Sequence, residues 1–447
     1  MRRSRSLLAV LASGLFCLQG ASTKAQGTNT LSPASRVWGQ PNFASDRCLH
    51  AGARTLCGPA QLVRDGHGNL WVADLANNRV VMYPPSQTTA SKVFGQYGSF
   101  TTSGCDRRPP SGRRYPTAPS RYTLCQPTGV AIDPSGTLYV ADSINNRVLV
   151  YFHASQKSSG APADRVLGQA NFHSTASNDV RKHADGSTCP PPQPASQCTL
   201  NGPMELSLDY RGDLLVPDYD NHRVLLWSAT SLARLDSNDC KRPCAIPASG
   251  VWGQYGSFFA NVPNNPNIPP QYEGSCTAIS IFSPASACTL LGPWAAVSDG
   301  QGDLFVSDTD NNRVLKYDHA LTTGQLDATA EYGQDGSMRT VNGNRSGISA
   351  SSLWHPIGLA LDPTGNLWAT DFYNRRVLEF PPPEAGAGDR AIQVLGQNGR
   401  FDTKTCGVAR QGLCGPTSIS FDGAGDAYVA DGINSRVLEY KASKTSQ

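Results

Sequence analysis

The sequence predicts an all-β protein: six four-stranded antiparallel sheets arranged around one axis and closed into a ring by a strand near the N-terminus. Three observations carry this. A stretch built as strand, turn, strand, turn, strand recurs six times. A shorter apolar run ending in Gly-Gln also occurs six times, but one copy precedes the first long stretch and none follows the last. Finally, 43 glycines and 32 prolines in 447 residues favour short strands joined by turns over long helices.

The clearest long copy is QPTGVAIDPSGTLYVADSINNRVLVYF, Gln126–Phe152. Gly129-Val130-Ala131-Ile132 reads as a first strand. Asp133-Pro134-Ser135-Gly136 reads as a tight turn, in which Pro presets φ and Gly tolerates a positive φ. Leu138–Ala141 is a second strand, Asp142–Asn146 a second turn, and Arg147–Tyr151 a third strand. The other copies are Gly58–Tyr83, Gly202–Trp227, Gly292–Tyr317, His355–Phe380 and Gly415–Tyr440.

The short runs supply the fourth strands: Val93–Gln96, Val166–Gln169, Val251–Gln254, Glu331–Gln334, Val394–Gln397 and, at the front, Val37–Gln40. Their Gly suits a bulge or a close backbone approach, and their Gln a hydrogen bond between blades. Four-stranded sheets repeated radially make a β-propeller. The displaced run predicts closure, with Val37–Gln40 lying beside Arg436–Tyr440 and leaving no open edge between the chain ends.

Gly-x-Leu-Tyr-Val-Ala-Asp-x-x-Asn-Asn-Arg-Val resembles the NHL repeat, and nearly all of the chain after residue 36 is similar to six-bladed NHL propellers. That family includes peptide-amidating lyases, extracellular sensor domains of kinases, and protein- or RNA-binding modules. The resemblance therefore implies a fold and not an activity. Its amidating lyases hold a metal with histidines that follow Pro at the start of first strands. Here those positions are Ala60, Thr128, Met204, Trp294, Ile357 and Thr417, none of them histidine. Nor does the sequence hold a G-x-S-x-G elbow or a phosphate-binding glycine loop.

The N-terminus reads as a secretory signal peptide over residues 1–25. Arg2, Arg3 and Arg5 precede the apolar run Leu7–Leu18, and small residues follow at Ala21–Ala25. The run is too short to span a bilayer. Bulky Phe16 before Cys17 makes a poor lipidation context. The expected organisation is then a short segment at 26–36, one propeller at 37–441 and a tail at 442–447. Cleavage removes four of the 38 basic residues and none of the 35 acidic ones, leaving 34 against 35. A near-neutral body gives no electrostatic case for nucleic acid or an anionic membrane.

Twelve cysteines remain beyond Cys17, in local couples: Cys48/Cys57, Cys105/Cys125, Cys189/Cys198, Cys240/Cys244, Cys276/Cys288 and Cys406/Cys414. In an exported chain they read as six disulfides. A zinc site would want C-x-x-C or a histidine at ligand spacing, and neither is present. Five couples brace the long connections between blades, which form a loop-crowned face.

Each copy places an Asp five residues before an Arg: Asp74/Arg79, Asp142/Arg147, Asp218/Arg223, Asp308/Arg313, Asp371/Arg376 and Asp431/Arg436. Six copies of one pair make a scaffold device, since a reaction centre needs one asymmetric set of groups. The acid pairs Asp218/Asp220 and Asp308/Asp310 lack a third acid at EF-hand spacing. They read as solvated turn carboxylates, with structural calcium as the alternative. No other cofactor is expected.

Function belongs where the copies differ. At the channel mouth the departures are Gln61, Met204, Glu205, Trp294, Trp354 and His355, the candidate ligand-binding positions. Glu205 is the lone acid at a first-strand entry, and His355 stands where other copies have Gly or Gln. The expected role is an exported, monomeric binding scaffold for a protein, peptide or glycan. The alternative is a lyase- or lactonase-type enzyme using the channel mouth.

Overall fold

The computed structural model describes residues 31–106, 118–178, 195–236, 246–264, 285–382 and 389–443. The stretch expected to be a signal peptide, with Cys17, and Cys189, Cys240, Cys244 and Cys276 lie outside them.

Six four-stranded antiparallel sheets form the blades. Blade 1 is Pro59–Arg64, Leu70–Asp74, Arg79–Tyr83 and Lys92–Phe94, from the axis outwards; blade 2 is Pro127–Ile132, Leu138–Asp142, Arg147–Tyr151 and Arg165–Leu167. Blade 3 is Ser207–Leu208, Leu214–Asp218, Arg223–Trp227 and Gly250–Trp252; blade 4 is Pro293–Ser298, Leu304–Asp308, Arg313–Tyr317 and Ala330–Tyr332. Blade 5 is Pro356–Leu361, Leu367–Asp371, Arg376–Phe380 and Gln393–Leu395. Blade 6 takes Pro416–Phe421, Ala427–Asp431 and Arg436–Tyr440 from the C-terminal end and Arg36–Trp38 from the N-terminal end. The closing register pairs Arg36 with Glu439, Val37 with Leu438 and Trp38 with Val437.

The second and third strands are buried along their whole length because neighbouring blades stack on both faces. In blade 1, Trp71 and Ala73 pack towards Val130, Val140 and Leu149 of blade 2. Leu70 and Val72, pointing the other way, pack towards Tyr428, Ala430 and Val437 of blade 6. The period-2 alternation of a strand thus feeds two different cores, which is why these strands read as unbroken apolar runs.

The fourth strands stop before the Gly-Gln that the sequence assigned to them. Gly95 has φ 79° and Gln96 φ 51°, so the chain turns there and leaves the ladder. A Cβ on Gly95 would stand 3.0 Å from Leu124, the close approach that glycine permits. The Gln amide does not bond a neighbouring sheet as expected. Gln96 Nε2 donates to Asn78 O in its own blade at 2.9 Å and to Gly104 O in the departing connection at 2.7 Å.

Every Asp/Arg pair is fully buried, with Nε to Oδ2 distances of 2.6–2.9 Å. Asp142 also accepts from the Cys125 amide and from Asn145 Nδ2, and Arg147 donates to the Ser120 and Thr123 carbonyls. Burial raises the Asp142 carboxyl, and Arg147 and these donors pull against it. Each pair therefore ties the second turn to the connection entering its own blade. The residue before each Arg sits in the left-handed region, and in five of the six blades its side chain latches to the next blade; the exception is Arg375, which donates to Lys404 O. Asn78 Oδ1 accepts from Gln126 N at 2.8 Å, Asn146 from Gly202 N at 2.8 Å, and Asn312 from His355 N at 2.8 Å.

Disulfides join Cys48–Cys57, Cys105–Cys125 and Cys406–Cys414, and Cys198 and Cys288 are disulfide-bonded as well. Such bonds point to an oxidising compartment. Among the described residues, no helix is long and apolar enough to cross a membrane.

Candidate functional site on the loop face

Blade 3 breaks the repeat. Where the second strands of blades 1, 2 and 6 have Ala73, Ala141 and Ala430, blade 3 has Pro217. Its carbonyl still accepts from Met204 N at 3.0 Å, but proline has no N–H to return. The first strand shrinks to Ser207–Leu208, and the Glu205 amide donates instead to Trp294 O of blade 4 at 3.1 Å. The unladdered backbone of Leu206 is served from blade 1. Gln61 Nε2 donates to Leu206 O at 2.7 Å, while its Oε1 accepts from Leu206 N at 2.9 Å and from Val130 N at 2.6 Å.

These residues close the channel. Met204 O lies where a Cβ on Gly129 would fall. Glu205 is only 3% exposed and reaches the blade 5 and 6 side. Its carboxyl bonds Ser418, and its Oε1, which has no hydrogen-bond partner, would be 3.3 Å from a Cβ on Gly358. Burial pushes this carboxyl well above the ordinary glutamate range and so favours its neutral form. On the far side of the Gln61 crossing a cavity of about 310 Å³ opens, lined by all six first strands, among them Val63, Ile132, Leu208, Leu361 and Phe421.

The remaining candidates gather on the loop face, together with turn residues that the sequence analysis passed over. Trp294 makes an edge contact with Tyr219, centroids 5.6 Å apart, and a second with His355 at 6.5 Å. His355 lies 5.0 Å from Tyr373 and 6.3 Å from Phe372, and Tyr373 lies 5.3 Å from Trp354. The result is one run of rings across blades 3, 4 and 5. Trp354 and Tyr373 are exposed, and Tyr219, Trp294, His355 and Phe372 half-buried. Lys404 caps one end, its ammonium 4.7 Å over the Trp354 ring. At the other end Tyr219 Oη donates to Asp310 Oδ2 at 2.7 Å, and His355 Nδ1 stands 3.6 Å from Asp310 Oδ1.

The two acid pairs split. Asp218 and Asp308 belong to the buried arginine bridges, whereas Asp220 and Asp310 face the ring run. Burial, with Asp218 and Asp310 nearby, raises the Asp220 carboxyl. Burial lowers both His222 and His355, against the pull of Asp310. His222 Nδ1 accepts from Gly292 N at 3.1 Å, which places the proton of the neutral ring on Nε2. Glu205 and His355 make separate sets of contacts, one sealed in the channel and one on the face.

Among the described residues one group of side chains has metal-ligand spacing, Cys105, Asp106 and Cys125. Its cysteines are joined to each other and offer no thiolate.

Fold and repeat together define the class: a six-bladed β-propeller whose blades share one Asp/Arg-bridged turn. The NHL repeat model matches residues 124–151, so blade 2 of this six-bladed propeller carries an NHL repeat. Over 89 residues it is 41% identical to peptidyl-alpha-hydroxyglycine alpha-amidating lyase 1 of Drosophila melanogaster, which is 20% of this chain and 15% of that protein. It is 32% identical over 100 residues to lyase 2 of the same organism, 22% of each chain. The matched stretches thus span under a quarter of either relative.

Two solved structures share the fold with a TM-score of 0.50. One is a Bacteroides thetaiotaomicron protein of unknown function, at 12% identity over 93% of this chain and 77% of that one. The other is an auxiliary nutrient binding protein of Bacteroides ovatus, at 11% identity over 93% and 76%.

Proposed function

We propose that this propeller is an exported, non-catalytic binding scaffold that docks a protein, peptide or glycan on its loop face at blades 3 to 5. One observation carries the reading. Six rings from three successive blades form a single accessible patch, while the one unusual acid of the channel is sealed beneath it. Rings held by a disulfide-braced scaffold lose little entropy on binding, which favours recognition. Export is supported by the disulfides and by the basic and apolar leader in the sequence.

A peptide and glycan array probed with the purified protein and with a Trp354→Ala/Tyr373→Ala variant tests this. The expected result is a set of ligands retained by the native protein and lost by the variant at unchanged melting temperature. Ligands bound equally by both would sink the assignment of the face.

The second reading is a propeller lyase or lactonase, favoured by the local 41% identity to an amidating lyase. Against it stand the histidine-free first-strand entries and the channel closed by Gln61 and Glu205. Metal analysis separates the two: a stoichiometric divalent ion in the purified protein would favour the enzyme.

A further inference from the structure

On the reading just given, the charges along the ring run narrow the ligand class. We infer that the patch takes a peptide through a lysine or arginine side chain, its cationic head at Asp310 and Asp220 and its stem against Tyr219, Trp294 and His355.

The first argument is an uncompensated charge beside aromatic faces. Asp308 and Asp310 are two residues apart, yet Asp308 is saturated by Arg313, Asn311 and the Leu291 amide. Asp310 has Tyr219 and the edge of His355. Among the described residues, neither Asp310 nor Asp220 has a lysine or arginine within ion-pair distance. Burial disfavours the charged form of the two histidines beside them, against the pull of Asp310. Asp310 Oδ2 and the Tyr219 ring both lie against Gly292, so a carboxylate without a cation stands directly beside a ring, and Asp220 on the preceding blade's turn adds to the negative charge there.

The second argument comes from the protein's own contact at the opposite end. Lys404 lays its ammonium on Trp354, which shows an amine on a ring of this same run. Among the described residues, no Lys or Arg lies over the rings of Tyr219, Trp294 and Tyr373, which offer further ring faces. A ring face next to a carboxylate binds ammonium and guanidinium better than either group alone. The run therefore carries a polarity, carboxylates at blades 3 and 4 and a cation at blade 5, and a peptide is oriented along it with its basic residue towards Asp310. A neutral sugar would leave the carboxylate pair uncompensated.

A hexapeptide array, probed once in native form and once after complete acetylation of its lysines, tests this with the full chain. Peptides rich in lysine or arginine should dominate, and acetylation should weaken the lysine peptides at least about tenfold. Asp310→Asn, and separately Asp220→Asn, should cut binding of the same peptides by a similar factor at unchanged melting temperature, and added salt should weaken the native protein. Equal binding of native and acetylated peptides whose only basic residues are lysines, full binding by both Asn variants, or no bound hexapeptide overturns the inference. Glycans or neutral peptides that bind and are lost in Trp354→Ala/Tyr373→Ala would overturn it while leaving the loop-face reading intact. No ligand sensitive to that double change would remove both.

Discussion

The two halves of the loop face share one scaffold and carry different chemistry. In blades 6, 1 and 2 the second turns present Gly432-Ile433, Leu75-Ala76 and Ser143-Ile144. In blades 3, 4 and 5 the same positions are Tyr219-Asp220, Thr309-Asp310 and Phe372-Tyr373. Backbone and buried bridges match: Asp142/Arg147 in one half and Asp308/Arg313 in the other are both at zero exposure and within 2.7 Å. The contrast separates what holds the ring together from what the ring displays. Six identical bridges keep the turn geometry fixed, so two adjacent residues are free to change from Ser-Ile to Thr-Asp or Phe-Tyr without altering the fold.

The largest effect should come from breaking the shared part. Arg147→Met and Arg313→Met each strand a buried carboxylate, and each should lower unfolding free energy by about 3–5 kcal/mol, measured by denaturant titration. Comparable losses in both halves sharpen the comparison; a loss confined to one half breaks it. Removing Val37–Gln40 opens blade 6 and should lower the melting temperature of the whole ring, whereas unchanged melting would refute closure by this strand.

Gly292 tests how closely scaffold and display are joined. It has φ 57°, and an added Cβ would lie inside contact of Asp310 Oδ2 and 2.8 Å from the Tyr219 ring. Gly292→Ala should cost about 1–3 kcal/mol and abolish the Tyr219–Asp310 contact, whereas Gly300→Ala, with open space around it, should be near neutral. Smaller still is Glu205→Gln. A raised native pKa means the folded state binds the proton more tightly than the unfolded chain. The stability tied to the neutral acid is complete below its ordinary value and declines as pH rises above it. The Gln variant should therefore match the native protein in acid and exceed it increasingly towards alkaline pH, read from melting temperature against pH. Asp310→Asn, on the display side, should shift stability by no more than about 0.5 kcal/mol.

The fold was legible because it is written six times. Repetition placed the strands, though the fourth ones end before the Gly-Gln assigned to them, and the displaced fourth strand gave the closure. Comparing the copies also flagged Glu205, Trp294, Trp354 and His355, since each departs from its siblings. What escaped notice lay in the turns. Asp220 and Asp310 read as solvated turn acids because they stand beside the repeated Asp, and Tyr219, Phe372 and Tyr373 sit in positions where turn residues vary freely. Their signal was present, in that three consecutive copies replace small or aliphatic residues with rings or acids. That they form one patch depends on blade adjacency, on contacts such as Tyr219 to Asp310, 91 positions apart, that no local pattern encodes. Pro217, in a strand, was passed over as well, although its signal is local. A proline in the second strand removes an N–H towards the axis, and that single omission releases Glu205 and Met204 into the channel.

The pairing of Arg36–Trp38 with Arg436–Tyr440 also dictates an order of events. A chain that emerges from its N-terminus exposes its closing strand first and its partner last, about 400 residues later. Five blades can assemble in sequence as they appear, each on the one before, while the first strand waits unpaired. The final joining pays a long-range loop entropy once, and until it happens both flanks of the growing stack remain sticky. Whatever escorts this chain as it folds has one stretch above all to shield, the few residues around Val37 and Trp38, from the first moments of synthesis to the last.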